Sequence, residues 1–281
     1  HTFDKALFSV HAQDYAKKSG GRVPEVLRDK SDNLIVNYNE QLFVLYEWLI
    51  GRDLEFGNKE DLRRAVAGLA DFHAATKGYK APNNARVSTK LGKWPDQYSS
   101  MKNKLINWKE TARENSSIQC YDVYLKYVED MVELSESALR LLKKSSYCDL
   151  TSDASSSVVL CHQDYGKGNA LLVNNDVYVI DLDGVTFDHP VRDLRKIIGK
   201  LAENKGIWDL TSISDILGWY REFNPLDKKE EELLYIDLLY PHWFYGLVKN
   251  MFLNGKTISS SKLEKISNLE KSKTNLFSSI F

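Results

Sequence analysis

Cysteine is scarce: the three present, Cys120, Cys148 and Cys161, form no C-x-x-C pair. An odd number cannot all pair within one chain, so neither a disulfide framework nor a zinc site is expected. A reducing compartment is the simpler expectation. Net charge is nearly absent too, at −1 from 38 basic and 39 acidic residues. That balance argues against a general binder of nucleic acid or anionic membrane. No apolar run approaches the roughly 18 residues of a membrane-spanning helix. The chain does not open on a basic stretch followed by an apolar one, so no signal peptide is read. No internal repeat is found. The expectation is a soluble, intracellular protein.

What is present is ordinary globular composition, 43% hydrophobic and 27% charged over 281 residues. That length suits a sizeable core, or one large domain with a smaller attached piece. Apolar residues at Phe3, Leu7, Phe8, Val10, Ala12 and Tyr15, with Gly20-Gly21 behind them, predict a helix with a glycine stop. Val23 to Leu27 and Leu34 to Tyr38 read as short strands, and Leu42 to Leu49 as a third that breaks at Ile50-Gly51-Arg52. Helical periodicity then covers Lys59–Thr76, Tyr98–Asn115 and Val123–Lys144, with loop between Lys77 and Asp96 and a Ser-rich connector over Ser145–Ser157. Further helices are expected over Arg192–Glu203, Asp209–Phe223, Lys229–Met251 and Lys256–Lys273. Tyr235, Tyr240, Trp243, Phe244 and Tyr245 crowd one of them. Aromatics at that spacing are usually core; the alternative is a wall of a substrate pocket. The charge of Lys256–Lys273 reads as a solvated face.

The segment with chemistry is Cys161-His162-Gln163-Asp164-Tyr165-Gly166-Lys167-Gly168-Asn169, followed by Ile180-Asp181-Leu182-Asp183. It reads H-x-D-x4-N, then I-D, with strand-like sequence between. Phosphoryl transfer needs an acceptor for a hydroxyl proton, and oxygen ligands to hold Mg²⁺ against nucleotide phosphates. Asp164, Asn169 and Asp181 have the right types in the right order. Any one of them alone is more readily a turn former. The flanks favour the chemical reading. Val158-Val159-Leu160 leads into the loop, and Ala170–Val173 and Val177–Ile180 form a hairpin around Asn174-Asn175-Asp176 that delivers Asp181.

These motifs resemble the aminoglycoside phosphotransferase and choline kinase superfamily, relatives of the protein kinases, whose loops read H-G-D-x4-N and I-D-[WFL]-[DE]. A further G-D-P-x2-D-L motif has its counterpart in Phe187-Asp188-His189-Pro190-Val191-Arg192-Asp193-Leu194, with the glycine and second position altered. Leu69-Ala70-Asp71-Phe72-His73 resembles the superfamily's L-A-x-[LF]-H helix. Within the superfamily, the H-Q-D-Y-G-x-G-N form and the run from Ile180 to Leu194 are similar to the CotS-type proteins of bacterial spore coats. The resemblance is strongest over Val158–Lys200 and looser elsewhere.

It implies an α+β, protein-kinase-like two-lobed fold. The small β lobe, residues 1–51, would be incomplete, and residues 52–281 would form a mainly helical large lobe. It implies ATP and Mg²⁺ as cofactors and a small-molecule hydroxyl as acceptor. Asp164 would take the acceptor's proton, Asn169 and Asp181 would hold metal, and the backbone around Glu47 and Leu49 would meet the adenine edge. His162 would brace the loop. Lys167 would touch phosphate or face solvent, and Asp183 would bind a second metal or face solvent. Asp188 and Asp193 would hold the metal loop and start a helix, and His73 would be packing. Neither a glycine-rich phosphate loop nor a V-x-K strand precedes Gly51, and neither Asp4 nor Asp14 is identifiable as the partner of such a lysine. Missing N-terminal residues explain this better than a degenerate kinase does. Two functions stay open: a small-molecule kinase of the spore coat, or a non-catalytic coat component of kinase shape. Other coat proteins are the partners implied; nucleic acid and a membrane span are not.

Overall fold

The structure is a computed structural model and describes residues 2–152 and 155–277. The first helix, α1 (Phe3–Lys18), stops where the glycines require. Gly20 takes φ +88°, its N–H reaches Lys17 O at 3.1 Å, and Gly21 N reaches Ala16 O at 2.8 Å. That pair of bonds closes the last turn as a Schellman motif, which a left-handed residue makes possible.

Four short strands follow: β1 (Val26–Leu27), β2 (Val36–Tyr38), β3 (Gln41–Phe43) and β4 (Leu45–Tyr46). The single strand expected over Leu42–Leu49 is divided between two partners. Gln41–Phe43 pairs with β2, whereas Leu45–Tyr46 pairs with β1. Two short ladders in succession cannot share one straight strand, and the chain leaves the second as an extended link.

After that link, β5 (Arg52–Asp53) leads into α2 (Lys59–Thr76), capped by the Asn58 side chain accepting from Glu60 N and Asp61 N. The chain continues through α3 (Trp94–Glu114), α4 (Gln119–Lys144) and α5 (Tyr147–Leu150), then β6 (Val159–Cys161), β7 (Ala170–Val173), β8 (Asp176–Val179) and β9 (Thr186–Asp188). Helices α6 (Val191–Lys205), α7 (Leu210–Arg221), α8 (Lys228–Leu239), α9 (His242–Asn254), α10 (Ser260–Lys271) and α11 (Lys273–Phe277) complete it.

The described residues group into two compact units. One gathers the chain to Leu91, Asp149–Ile197 and Thr211–Asp227; the other gathers Gly92–Cys148, Ile198–Leu210 and the chain from Lys228. In the first, α2 packs against β6 and β8, with Leu69, Ala70, Val159 and Val179 fully buried. Gly68 is there because a Cβ would come within 2.6 Å of the Val177 side chain. In the second, α4 lies against α3, α8 and α10.

Two expectations fail in the second unit. The helix expected over Lys229–Met251 is two helices, because Pro241 has no N–H to give and biases Tyr240 away from helical backbone. The break exposes polar backbone on both sides, and two buried charges meet it. Lys273 Nζ donates to Tyr240 O at 3.0 Å, while Glu270 Oε1 accepts from Trp243 N at 2.8 Å and Phe244 N at 3.3 Å. Glu270 and Lys273 pair with one another, both fully buried. Their charges are therefore not part of a solvated face, as the sequence suggested. Of the aromatics, Tyr240 and Phe244 are fully buried and Tyr245 is buried, as expected of core, while Tyr235 and Trp243 are half-buried. Trp243 covers Gly199, where a Cβ would fall 1.7 Å from the indole. Gly199→Ala should therefore cost about 1–3 kcal/mol through overpacking, read as a lowered Tm. An unchanged Tm would show that the indole moves aside freely.

Candidate active site

The apolar sequence of β6 is buried and pairs antiparallel with β9, Leu160 opposite Phe187. This fixes where the chain emerges at His162. The β7–β8 hairpin turns on Asn174 and Asn175, both at positive φ, as a two-residue turn of this hand requires. Its register sets Ala170 against Val179, and one step further Ile180 N donates to Asn169 O at 3.2 Å. Asn169 thereby stands opposite Ile180, the residue that precedes Asp181.

The loop between is held from within and from below. Asn169 Nδ2 donates to Asp164 O at 2.9 Å, so the amide oxygen is the atom of Asn169 offered outward. Gly168 lies at φ +91°, where an L side chain would be strained. His162 Nε2 meets Ile180 O at 2.8 Å and its Nδ1 meets Asp164 N at 3.3 Å, so the ring is the Nε2–H tautomer joining the two functional segments. The expected bracing role of His162 has this geometry.

Beneath the loop sits Asp193, fully buried. Its carboxylate accepts from His162 N at 2.6 Å, Gln163 N at 3.1 Å and His73 Nε2 at 3.2 Å. His73 Nδ1 accepts from Tyr220 OH at 2.7 Å, and Asn224 Nδ2 donates to the same hydroxyl at 2.7 Å. Burial pushes the His73 pKa down and keeps the ring neutral. His73 is thus more than packing. Asp193 holds the loop of Asp164 rather than the metal loop, while Asp188 is engaged by Arg192 at 3.1 Å. His73, Cys161 and Asp193 cluster as metal ligands could. Both His73 nitrogens are already bonded and Cys161 Sγ donates to His189 O at 3.3 Å, with burial raising the thiol pKa. A hydrogen-bonded bracket accounts for the cluster.

Two non-glycine residues beside this chemistry hold left-handed backbone: Gln163 at φ 75° and Asp181 at φ 61°, ψ 60°. Each such residue costs on the order of 1–3 kcal/mol and persists only where neighbours impose it, commonly at functional sites. Asp164 and Asp181 are both exposed. Lys167, also exposed, pairs with Glu55 at 2.6 Å.

A cavity of about 620 Å³ adjoins Asp181. The link between β4 and β5 supplies Glu47, Trp48 and Leu49 to its wall, and Leu171, Asp181 and Asp183 face them. Glu47 N donates to Glu25 O at 2.9 Å, and its carboxylate accepts from Glu25 N at 3.1 Å and Lys17 at 3.4 Å. The Glu47 carbonyl and the Leu49 backbone have no hydrogen bond among the described residues, as an edge that pairs with a flat heterocycle requires. Burial, then the charge of Asp181, raises the Asp183 pKa, and burial with Asp183 and Asp181 pushes Tyr46 up to about 12. A divalent cation would relieve that crowding of negative charge, and the donor set of amide and carboxylate oxygens suits hard Mg²⁺. Gln13 and Tyr46 also line the cavity and were not foreseen. No local pattern marks them, since only the packing of α1 and β4 turns them to it.

The fold is shared with solved phosphotransferases: an aminoglycoside phosphotransferase from Alicyclobacillus acidocaldarius superposes with a TM-score of 0.78, at 16% identity, over 96% of this chain and 80% of that one. Amicoumacin kinase hAmiN, solved with AMP-PNP and Ca²⁺, matches with a TM-score of 0.60 at 14% identity, over 98% and 79% of the two chains. An AMP-bound spectinomycin phosphotransferase, APH(9)-Ia, gives 0.60 at 15%, over 96% and 84%. The chain belongs to the family described as "Spore coat putative kinase YutH", whose model matches residues 9–279. It is also 25% identical over 275 residues to spore coat protein S of Bacillus subtilis (strain 168), covering 96% of this chain and 78% of that protein. No helix among the described residues is long and apolar enough to cross a membrane.

Proposed function

We propose that this protein is an ATP- and Mg²⁺-dependent phosphotransferase that acts on a hydroxyl of a small molecule and is associated with the spore coat. The observation that supports the reading is that Asn169 bonds the Asp164 carbonyl and pairs with Ile180, the residue before Asp181, while Asp181, Glu47 and Leu49 line one cavity. The nucleotides and Ca²⁺ bound to the structural neighbours favour it, and the family supplies the coat association. Residues up to Gly51 are read as the small lobe and hinge, and 52–281 as the large lobe.

In this reading the Glu47 carbonyl and Leu49 amide take the adenine edge. Asn169 and Asp181 hold Mg²⁺, which supplies charge neutralisation at the phosphates. Asp164 orients the acceptor hydroxyl. As its oxygen bonds to the γ-phosphorus and the bond to the β-phosphate oxygen breaks, the hydroxyl proton passes to Asp164 and ADP leaves.

Calorimetry on the full-length protein tests the nucleotide half. ADP should bind more tightly with Mg²⁺ than without, and Asp181→Ala should bring the two affinities together. Metal-independent binding, or none, would leave the non-catalytic coat role as the better account.

A further inference from the structure

Helix α6 presents successive polar side chains to the Asp164 loop. Arg192 Nε donates to Gln163 Oε1 at 3.2 Å, and Asp193 accepts from His162 N and Gln163 N. Lys196 follows Arg192 by four residues and Asp193 by three, so it lies on the same helical face one turn on. Arg192 is paired with Asp188 at 3.1 Å. Lys196 is half-buried and makes no hydrogen bond or ion pair among the described residues. Burial lowers its pKa; Asp193 and Asp164 oppose this, while Arg195 and Arg192 add to it.

A partly desolvated ammonium with no partner is unfavourable unless an anion arrives to meet it. On that helical face Asp193 is already committed to three donors, and Asp164, on the loop that Asp193 holds, is exposed. Lys167, the loop's own lysine, is turned to Glu55 instead. During transfer the group beside Asp164 is the phosphoryl group itself, whose equatorial oxygens carry spread negative charge.

We infer that Lys196 is a catalytic residue of the transfer, its ammonium donating to the equatorial oxygens of the phosphoryl group in flight between nucleotide and acceptor. The inference rests on the phosphotransferase reading. It assigns to α6 a cation that acts on the transferred group and not on the resting nucleotide. Lys196 therefore contributes to the transition state more than to ADP affinity.

The test needs no knowledge of the acceptor. Full-length protein is titrated with Mg·ADP alone and with Mg·ADP plus aluminium fluoride, which mimics the phosphoryl group in flight. Lys196→Met should bind Mg·ADP like wild type. It should bind the aluminium fluoride complex about 10- to 100-fold more weakly, the scale of one charge-assisted hydrogen bond. Lys196→Arg, which keeps the charge, should recover most of that loss. Equal affinity of wild type and Lys196→Met for the fluoride complex would overturn the inference while leaving the phosphotransferase reading intact. So would a matching loss toward Mg·ADP, which would place Lys196 in nucleotide binding or folding. Failure of wild type to bind Mg·ADP at all would overturn the phosphotransferase reading, and Lys196 with it.

Discussion

Asp164→Asn should lower phosphoryl transfer by roughly 10²–10⁴, the scale of a positioned general base, while leaving Mg²⁺-nucleotide affinity and thermal stability close to wild type. The structure explains why activity and stability should separate. Asp164 is exposed, and its bonds within the loop are made by its backbone: its N–H goes to His162 Nδ1 and its carbonyl to Asn169 Nδ2. A nearly isosteric amide preserves both. What it removes is the carboxylate proposed to take the proton and orient the hydroxyl. The measurement begins with a screen of sugars, amino alcohols and aminoglycosides for acceptor-dependent ADP release by the full-length protein. An Asp164→Asn protein that turns over the active acceptor at the wild-type rate would remove Asp164 from the mechanism. A variant that loses Tm together with activity would make Asp164 part of the scaffold.

Asp193→Ala should do the reverse and strike the fold first. Three donors converge on this carboxylate, from His162 N, Gln163 N and His73 Nε2, with His162 and His73 fully buried and Gln163 half-buried. Each orphaned donor costs about 1–3 kcal/mol, and losing one member of a buried charged network costs about 3–5 kcal/mol in all. That is a large share of a domain's stability, which is about 5–15 kcal/mol. The expected result is a lower urea midpoint with an unchanged slope, and loss of transfer because Gln163, at φ 75°, loses the bond its backbone N–H makes to Asp193. A midpoint within experimental error of wild type would show that the bracket is dispensable.

The same residue gives a pH dependence of stated sign. Burial acts to raise the Asp193 pKa, but the hydrogen bonds from His73 and the His162 amide outweigh it, so the carboxyl titrates below its ordinary 3.8. A lowered folded pKa contributes stability that is present above pH 3.8 and is lost as pH falls below it. Asp193→Asn, which cannot titrate, should therefore show a shallower loss of stability below pH 3.8 than wild type.

The candidate site was legible in the sequence because it is local. His162 to Asn169 and Ile180 to Asp183 lie within 22 consecutive positions, and alternating apolar residues with an Asn-Asn turn specify the hairpin between them. The helix α1 was legible for the same reason, its periodicity and glycine stop both lying in one short segment. The sequence alone thus determined most of the order of the elements and the class of fold, and it nominated Asp164, Asn169 and Asp181 as candidates. Where periodicity met a long-range choice of partner, it misled. It made one strand of Leu42–Leu49, although two pairing partners divide it, and one helix across Pro241, although a distant ion pair serves both of its ends.

Only the tertiary structure decided which polar groups are buried and what they face. His73 and Asp193 are 120 residues apart, and nothing near either one in sequence announces the bracket they form. Gln13 and Tyr46 reach the cavity only through the packing of α1 and β4, and Glu270 with Lys273 looks like any other solvated pair until Pro241 is folded against it. The physical reason is the same throughout. Periodicity encodes which side of an element is apolar, whereas desolvation and the hydrogen bonds that offset it depend on atoms brought together from distant parts of the chain.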